Sequence, residues 1–396
     1  MTKRAFIIVL DSMGIGYEPD ADKFGDIGAN TLKSIRNHEN FNCPNLKELG
    51  LFNIEGVEDA DSTNDMKSVE SPKASFARLQ ERSNGKDTTI GHWEIAGIVS
   101  ENPLPTYPDG FPQEVIDEFE EKTGKKAICN KPYSGTEVIK DYGKEMVETG
   151  NLIVYTSADS VFQIAAHEEV IPVPELYKYC EIARKMLQGK HGVGRIIARP
   201  FIGEWPYERT SNRHDYSLEP PKTTMLDCLK AAGKDSLSVG KIFDIFVGVG
   251  VDECNRTKSN THGMELTMEM VKRDFDGLCF INLVDFDMKY GHRNDVPGYA
   301  AAMTEFDKWL PGFVNEMRDE DILIITADHG CDPGFVQSTD HSREYIPMIA
   351  VGKPIKEGVN LGTRLGFCDI SATVLDYLGV DKKDTEGNSF LADIIK

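Results

Sequence analysis

Short apolar runs that stop abruptly at polar residues organise this chain. Residues 6–10 (FIIVL) end at Asp11, and residues 152–155 (LIVY) end at Thr156, Ser157 and Asp159. Residues 278–284 end at Asp285 and Asp287, and residues 322–325 end at Thr326, Asp328 and His329. Continuous apolar runs of this length, rich in Val and Ile, predict parallel strands buried on both faces. Amphipathic stretches at 265–273, 299–317 and 370–378 predict helices. The alternation implies an α/β fold, a mostly parallel sheet sandwiched by helices.

In such open sheets ligands sit beyond the carboxyl ends of the strands. The carboxylates that follow Leu10, Val284 and Ile325 are therefore candidates to converge, although the sequence spreads them far apart. Any one of them alone reads equally well as a helix N-cap. Three carboxylate-terminated strands, two of them followed by histidine, favour a shared site.

The segment 103–218 behaves differently. It opens on a turn containing Pro103, Pro105, Pro108 and Pro112 and closes just before Pro220 and Pro221. Between these lie an acidic helix at 113–122 and strands at 152–155 and 195–198. The pattern predicts an α/β cap domain inserted between two core segments, 1–102 and 219–396.

Composition narrows the function. The 396 residues are 40% hydrophobic and 28% charged, enough apolar material for a large core. A net charge of −21 excludes a nucleic-acid binder, whose phosphate contacts need a basic surface. An acidic protein that handles phosphate must concentrate positive charge locally, in metal ions or a few arginines. No stretch approaches the roughly 18 apolar residues of a membrane span, and the first apolar run is too short for a signal peptide. The eight cysteines stand singly, as reduced thiols do. A cytoplasmic protein without membrane partners is expected.

Two polar clusters carry metal-site chemistry. Residues 283–295 (LVDFDMKYGHRND) set Asp287 five positions before His292, with Asp285 two residues from Asp287 on the same strand face. Residues 326–333 (TADHGCDP) and 338–344 (STDHSRE) add Asp328, His329 and His341. With Asp11 the chain offers three carboxylates and three imidazoles. A mixed oxygen and nitrogen set suits Mn, Zn or Fe better than Ca or Mg. Six ligands are too many for one catalytic ion with an open position, and they divide between two. The competing reading is loop histidines that bond backbone groups.

Residues 83–93 (SNGKDTTIGHW) read as a tight turn opening a helix, whose free N–H groups favour an anion. A threonine hydroxyl is a poor nucleophile unless a base or metal lowers its pKa, and a metal beside Thr88 would do so. The competing reading is that Thr88 or Thr89 simply caps that helix.

These residues belong to a longer series: LDS-x-GIG, GKDT-x-x-GHWE, NKP-x-SGTE, VYTSADS-x-x-QIAAHEE, GRIIARPFIGE, NRHDY, SVGKI-x-DI, LVDFDM-x-YGHR, TADHG and TDH-x-REY-x-P. In order, along essentially the whole chain, the series resembles the phosphopentomutase family of the alkaline-phosphatase superfamily. The resemblance implies an alkaline-phosphatase-like core with an inserted cap, and two Mn2+ ions. Asp287, His292 and His341 would hold one ion; Asp11, Asp328 and His329 would hold the other, with Thr88 beside it. The spacing to His292 in the family motif selects Asp287 over Asp285. Thr88 would carry the phosphoryl group, and Ser157, Asp159, Arg195, Arg209 and Lys241 would bind the sugar phosphate, with Arg213 a rival for Arg209. The implied reaction interconverts ribose 1-phosphate and ribose 5-phosphate, and the 2-deoxy sugars, through a pentose 1,5-bisphosphate. Glucose 1,6-bisphosphate or a similar compound would prime the threonine; the sequence leaves the oligomeric state open, with a monomer expected. Two departures stand out: Cys331 where the family pattern has Asn, and Thr89-Ile90 where it has Met-Thr. A phosphatase or phosphodiesterase of the same superfamily would share every ligand but pass the phosphoryl group to water, and a non-catalytic metal binder would have no use for Thr88.

Overall fold

The computed structural model describes residues 2–157 and 159–396. The chain divides into two compact units, Met1–Pro103 with Pro220–Lys396, and Leu104–Glu219.

The first unit is built on an eight-stranded sheet. Its order is Glu253–Asn255, Asp235–Val239, Gly277–Leu283, Arg4–Leu10, Asp321–Thr326, Ile346–Val351, Ser75–Gln80, Asn360–Leu365. Neighbours are parallel except for the two pairings made by Ile346–Val351. The expectation of a mostly parallel α/β sheet holds. Three of the apolar runs form the adjacent strands Gly277–Leu283, Arg4–Leu10 and Asp321–Thr326, buried along their whole length. The amphipathic stretches form helices Asn260–Lys272, Val296–Glu316 and Asp369–Leu378. The first packs on Gly277–Leu283 and the last on Arg4–Leu10.

Register fixes where these strands deliver their polar ends. Leu10 lies opposite Leu283, and Val9 opposite Thr326. The residues that follow therefore leave the sheet at one edge within a few positions of each other. The opposite edge is held by the buried Arg4. Its Nε and Nη2 donate to the Asp321 carboxylate at 2.9 and 2.5 Å, and its Nη1 donates to the Val271 and Arg273 carbonyls.

The second unit has a six-stranded sheet in the order Ala127–Pro132, Leu152–Thr156, Val161–His167, Arg195–Ile202, Glu208–Arg209, with His214–Ser217 also paired to Arg195–Ile202. Helices Gln113–Thr123, Glu137–Thr149 and Val173–Met186 accompany it. Phe162 packs between Phe111 and Phe119, with ring centroids 4.7 and 5.2 Å away. Cross-strand partners share a face of a sheet. Tyr155 opposes Gln163, and Gln163 opposes Ile197, so Tyr155, Gln163, Arg195 and Arg199 lie on one face.

Candidate active site

Helix Thr88–Ile95 is capped by Asp87, whose carboxylate accepts the N–H groups of Thr89 and Ile90 at 3.0 and 3.2 Å. Neither threonine is the cap. The half-buried Thr88 is left with its Oγ1 3.0 Å from His329 Nε2. His329 Nδ1 lies 3.0 Å from the Gly330 carbonyl, which assigns the ring proton to Nδ1 and leaves a lone pair on Nε2.

That lone pair faces Asp328 Oδ2 at 3.2 Å and Asp11 Oδ1 at 3.5 Å. Among the described residues neither oxygen receives a hydrogen bond. His92 Nδ1 does lie 3.0 Å from Asp328 Oδ2, but it is closer to the Thr88 carbonyl, 2.8 Å, and has one proton to give. We assign that proton to the carbonyl. A few ångströms away, His292 Nδ1 lies 2.7 Å from the Thr339 carbonyl and its Nε2 lies 3.2 Å from Asp287 Oδ2. His341 Nε2 stands 3.1 Å from His292 Nε2 and 3.4 Å from Asp287 Oδ1, another buried oxygen without a donor. The His329 and His341 rings stack with centroids 3.9 Å apart, which joins the two clusters.

Buried acceptors facing acceptors are costly unless a cation lies between them. Imidazoles whose Nδ1 bonds a carbonyl present Nε2 as metal ligands do. The donor set therefore fits divalent cations. Asp287, His292 and His341 form one trio, with ligand atoms all within 4.8 Å of one another; Asp11, Asp287 and His329 form a second. Asp287 thus faces both groups, while Asp328 reaches the second through His329.

The protonation balance shows the same excess of negative charge. Burial, then Asp328 and Asp287, raise the Asp11 carboxyl to about 7, with His329 and Lys241 opposing. Asp328 is buried too, but His329 and His92 hold its carboxyl below the usual range. Against burial, His341 and His292 do the same for Asp287. His329 is raised despite burial by Asp328 and Asp11, and His292 is raised chiefly by its bond to Asp287. Carboxylates so placed draw in whatever positive charge is available.

Several supporting residues were not legible in advance. Ser12, at φ 71°, turns the chain after Asp11 so that its N–H donates to Asp328 Oδ1 at 3.0 Å. Asn282 Nδ2 donates to Asp11 Oδ2 at 3.0 Å. A polar residue inside an apolar run was the available signal. Glu94 accepts the N–H groups of Arg82, Ser83 and Phe367. The buried Arg343 donates to Glu81 and to the Ser83 and Gly85 carbonyls, so it fixes the loop that leads to Thr88. Glu94 and Arg343 stand in recurring motifs, but a motif does not reveal which backbone groups a side chain ties. Gly91 is required for close approach, because a Cβ there would lie 2.0 Å from the Asp328 carbonyl oxygen.

The rivals separate. The strand ends at Leu283, and Asp287 lies on a π-helical turn, Phe286–Tyr290, so Asp285 and Asp287 do not share a strand face as expected. Asp285 is engaged by Asn260 N and Lys289 Nζ, each at 2.9 Å. Cys331 packs against Gly291, with Sγ 3.6 Å from the Asp340 carbonyl and 3.9 Å from His292 Nδ1. Burial raises its thiol well above the usual range, so it is neutral.

In the second unit Asp159 lies 3.6 Å from Arg195, which also approaches Asp215 at 3.7 Å. Ser157 Oγ accepts the Asp159 N–H at 3.3 Å. Arg213 is held by two 2.7 Å bonds to Asp215, whereas Arg209 donates to the Thr136 hydroxyl at 3.0 Å. In the first unit Lys241 begins the short helix Ile242–Ile245.

Comparison with known proteins agrees with this chemistry. Residues 3–382 match the family described as the Metalloenzyme superfamily. A phosphopentomutase of Lachnoclostridium phytofermentans is 60% identical over 395 residues, covering 100% of both chains. One of Clostridium novyi is 54% identical, again over 100% of both. Among solved structures, the PH0037 protein of Pyrococcus horikoshii is 14% identical with a TM-score of 0.50, covering 98% of this chain and 100% of that one, which is a likeness of fold. Full-length identity at this level shows that the chain belongs to the phosphopentomutase family, within the metalloenzyme superfamily.

Proposed function

We propose that the protein interconverts ribose 1-phosphate and ribose 5-phosphate, and their 2-deoxy counterparts, through a phosphothreonine at Thr88. As a family member it is an intramolecular phosphotransferase of the isomerase class. The observation that carries the proposal is the hydroxyl of Thr88, released from capping by Asp87 and placed beside orphaned carboxylate oxygens.

Asp287, His292 and His341 would hold one ion and Asp11, Asp328 and His329 the other; we assign both as Mn2+. Such ions supply the positive charge that offsets the phosphoryl oxygens and lowers the pKa of an adjacent alcohol. The chain's own residues do the rest. A sugar hydroxyl attacks the phosphorus on Thr88, the P–Oγ1 bond breaks, and the hydroxyl proton ends on the released threonine. The pentose 1,5-bisphosphate then returns its other phosphoryl group to Thr88 by the reverse exchange. Asp87, Glu94 and Arg343 keep Thr88 in place through both transfers. Ser157 and Asp159 bind sugar hydroxyls, and Arg195, Arg209 and Lys241 bind phosphate. A sugar bisphosphate such as glucose 1,6-bisphosphate supplies the first phosphoryl group. The cytoplasm is the assigned compartment; among the described residues no helix is long and apolar enough to cross a membrane.

The test is incubation of Mn2+-loaded protein with ribose 5-phosphate and catalytic glucose 1,6-bisphosphate, assaying ribose 1-phosphate and free phosphate. Isomer without phosphate release is expected. Phosphate release without isomer would make the protein a hydrolase of the same superfamily.

A further inference from the structure

His92 of the GHWE motif and Asn282, the polar residue inside the apolar run 278–284, take no part in the transfers described above. Both are fully buried, at 0% exposure. His92 lies four residues after Thr88 on helix Thr88–Ile95, and a helical side chain leans back over the preceding turn. Its Nδ1 accordingly reaches the Thr88 carbonyl at 2.8 Å. Asn282 belongs to strand Gly277–Leu283, which pairs with strand Arg4–Leu10, the strand that leads into Asp11. Phe280 shares a strand face with Asn282, and the His92 ring packs against it with centroids 5.9 Å apart.

The hydrogen bonds admit a single sense. With its proton given to the Thr88 carbonyl, the imidazole has a lone pair on Nε2, which lies 3.3 Å from Asn282 Nδ2. The amide nitrogen carries two hydrogens, and the second meets Asp11 Oδ2 at 3.0 Å. Turning the amide over would set its oxygen against a carboxylate oxygen and a lone pair, acceptor against acceptor. The amide is thus oriented by its donors alone, since Asn282 Oδ1 has no partner among the described residues. A buried amide oxygen left unpaired is unfavourable, so stability does not account for the asparagine. Asp11 Oδ2 is occupied in this way, and Oδ1 faces His329.

We infer that His92 and Asn282 are positioning residues for the phosphoryl transfer. They tie the Thr88 backbone to the Asp11 carboxylate through three hydrogen bonds, so that the nucleophile and a metal ligand from another element keep one mutual geometry. Asn282 holds Asp11 Oδ2 and leaves Oδ1 for a cation; His92 joins the first turn of the nucleophile helix to that same amide. Neither side chain touches the reacting atoms, and each acts through the residue it bonds. The inference rests on the proposed function for the roles of Thr88 and Asp11, and on the three bonds for the tie itself.

The experiment compares the wild type with His92→Gln, His92→Asn and Asn282→Leu. Glutamine carries an amide where Nε2 stands and asparagine where Nδ1 stands, so each keeps one half of the tie, whereas leucine at 282 keeps neither bond. Mn2+ affinity is measured by calorimetry on chelator-stripped protein, and melting temperature, kcat and KM for ribose 5-phosphate on Mn2+-loaded protein. N282L should weaken one Mn2+-binding event and lower kcat, each about tenfold. H92Q should keep wild-type Mn2+ affinity yet lose about tenfold in kcat with KM unchanged, and H92N should weaken the same Mn2+-binding event as N282L. A purely structural histidine would give H92Q and H92N the same Mn2+ affinity, whatever their melting temperatures, and that result would overturn the tie. Should the His92 variants not fold, wild-type Mn2+ affinity and kcat in N282L would overturn it as well. A wild type that releases phosphate without isomer would overturn the mutase reading, and the Mn2+ affinities would still decide the tie.

Discussion

Gly91→Ala isolates the contact that seats the nucleophile helix. In an exposed helix this exchange is favourable by up to about 1 kcal/mol, since alanine is the better helix former. At position 91 the new methyl would lie 2.0 Å from the Asp328 carbonyl oxygen and 3.1 Å from Asp328 Cβ. The obstacle is backbone at the end of a buried strand and cannot rotate away. The helix must retreat by about 1 Å or more to reach van der Waals distance, and overpacking of this kind costs on the order of 1–3 kcal/mol. Because Thr88 is the first residue of the same helix, the retreat carries Oγ1 away from His329. A misplacement of about 1 Å at a reacting atom costs roughly a hundredfold in rate. The expected result is a lower melting temperature and a kcat reduced about a hundredfold, read by phosphorus NMR of the sugar phosphates. Gly312→Ala is the control. It lies in helix Val296–Glu316 with nothing within 4 Å of its added methyl, and should be neutral or stabilising with normal turnover. Wild-type kcat and stability in G91A would show that the helix is not seated on Asp328, and the account of Thr88 placement would fail.

Thr88→Ala should abolish turnover while leaving metal content and melting temperature nearly intact, whereas Asp87→Ala should lower stability by about 1 kcal/mol through loss of the cap; mass-spectrometric phosphate on Thr89 instead of Thr88 would contradict the first. Glu344 gives a pH dependence. Burial and then Asp332 raise its carboxyl from 4.5 to about 7, so over that window the folded form keeps a proton that the unfolded chain has released. This contribution is full below about pH 4.5, is lost as pH rises to about 7 by roughly 3 kcal/mol at most, and is then flat; Glu344→Gln should flatten the decline in urea midpoints between pH 5 and 7. Arg4→Ala leaves Asp321 buried and unpaired and should cost about 3–5 kcal/mol in urea unfolding, with kcat of the folded protein unchanged because the pair sits at the far edge of the sheet. Removing divalent metal with a chelator should lower the melting temperature, and Mn2+ should restore it, as Asp11, Asp287 and Asp328 lose and regain a counter-charge.

What the sequence displayed was governed by burial. Strands Arg4–Leu10, Gly277–Leu283 and Asp321–Thr326 are covered on both faces, so their residues are apolar throughout and their ends are marked by the first polar residue. That is why the carboxylates at their ends stand out in the sequence. Asn360–Leu365 is half-exposed at the sheet edge and Asp235–Val239 alternates serine with apolar residues, so neither presents a continuous run. Ile346–Val351 is fully buried but contains Pro347, which weakens the reading as an interior strand. At the site, residue types were legible and partners were not. GKDTTIGHW left the cap open among neighbouring residues, and only φ and ψ at Asp87, extended before the first helical turn, decide that the aspartate caps and the threonine is free. Spacing grouped Asp285 with Asp287 on a strand, whereas the π-helical turn sends them to different partners.

The two units carry burial costs of opposite sign. In the first, carboxylate oxygens of Asp11, Asp287 and Asp328 are buried without donors among the described residues; in the second, the buried Tyr155 hydroxyl has no partner among them. A fold selected for stability alone would not keep both, because exchanging any of these groups for an apolar one of similar shape removes an uncompensated desolvation cost. Divalent cations would answer the first deficit, as a hydrogen-bond acceptor would the second. A mutase and a hydrolase would share these metal ligands, so full-length identity to phosphopentomutases, and not the ligand set, separates the two.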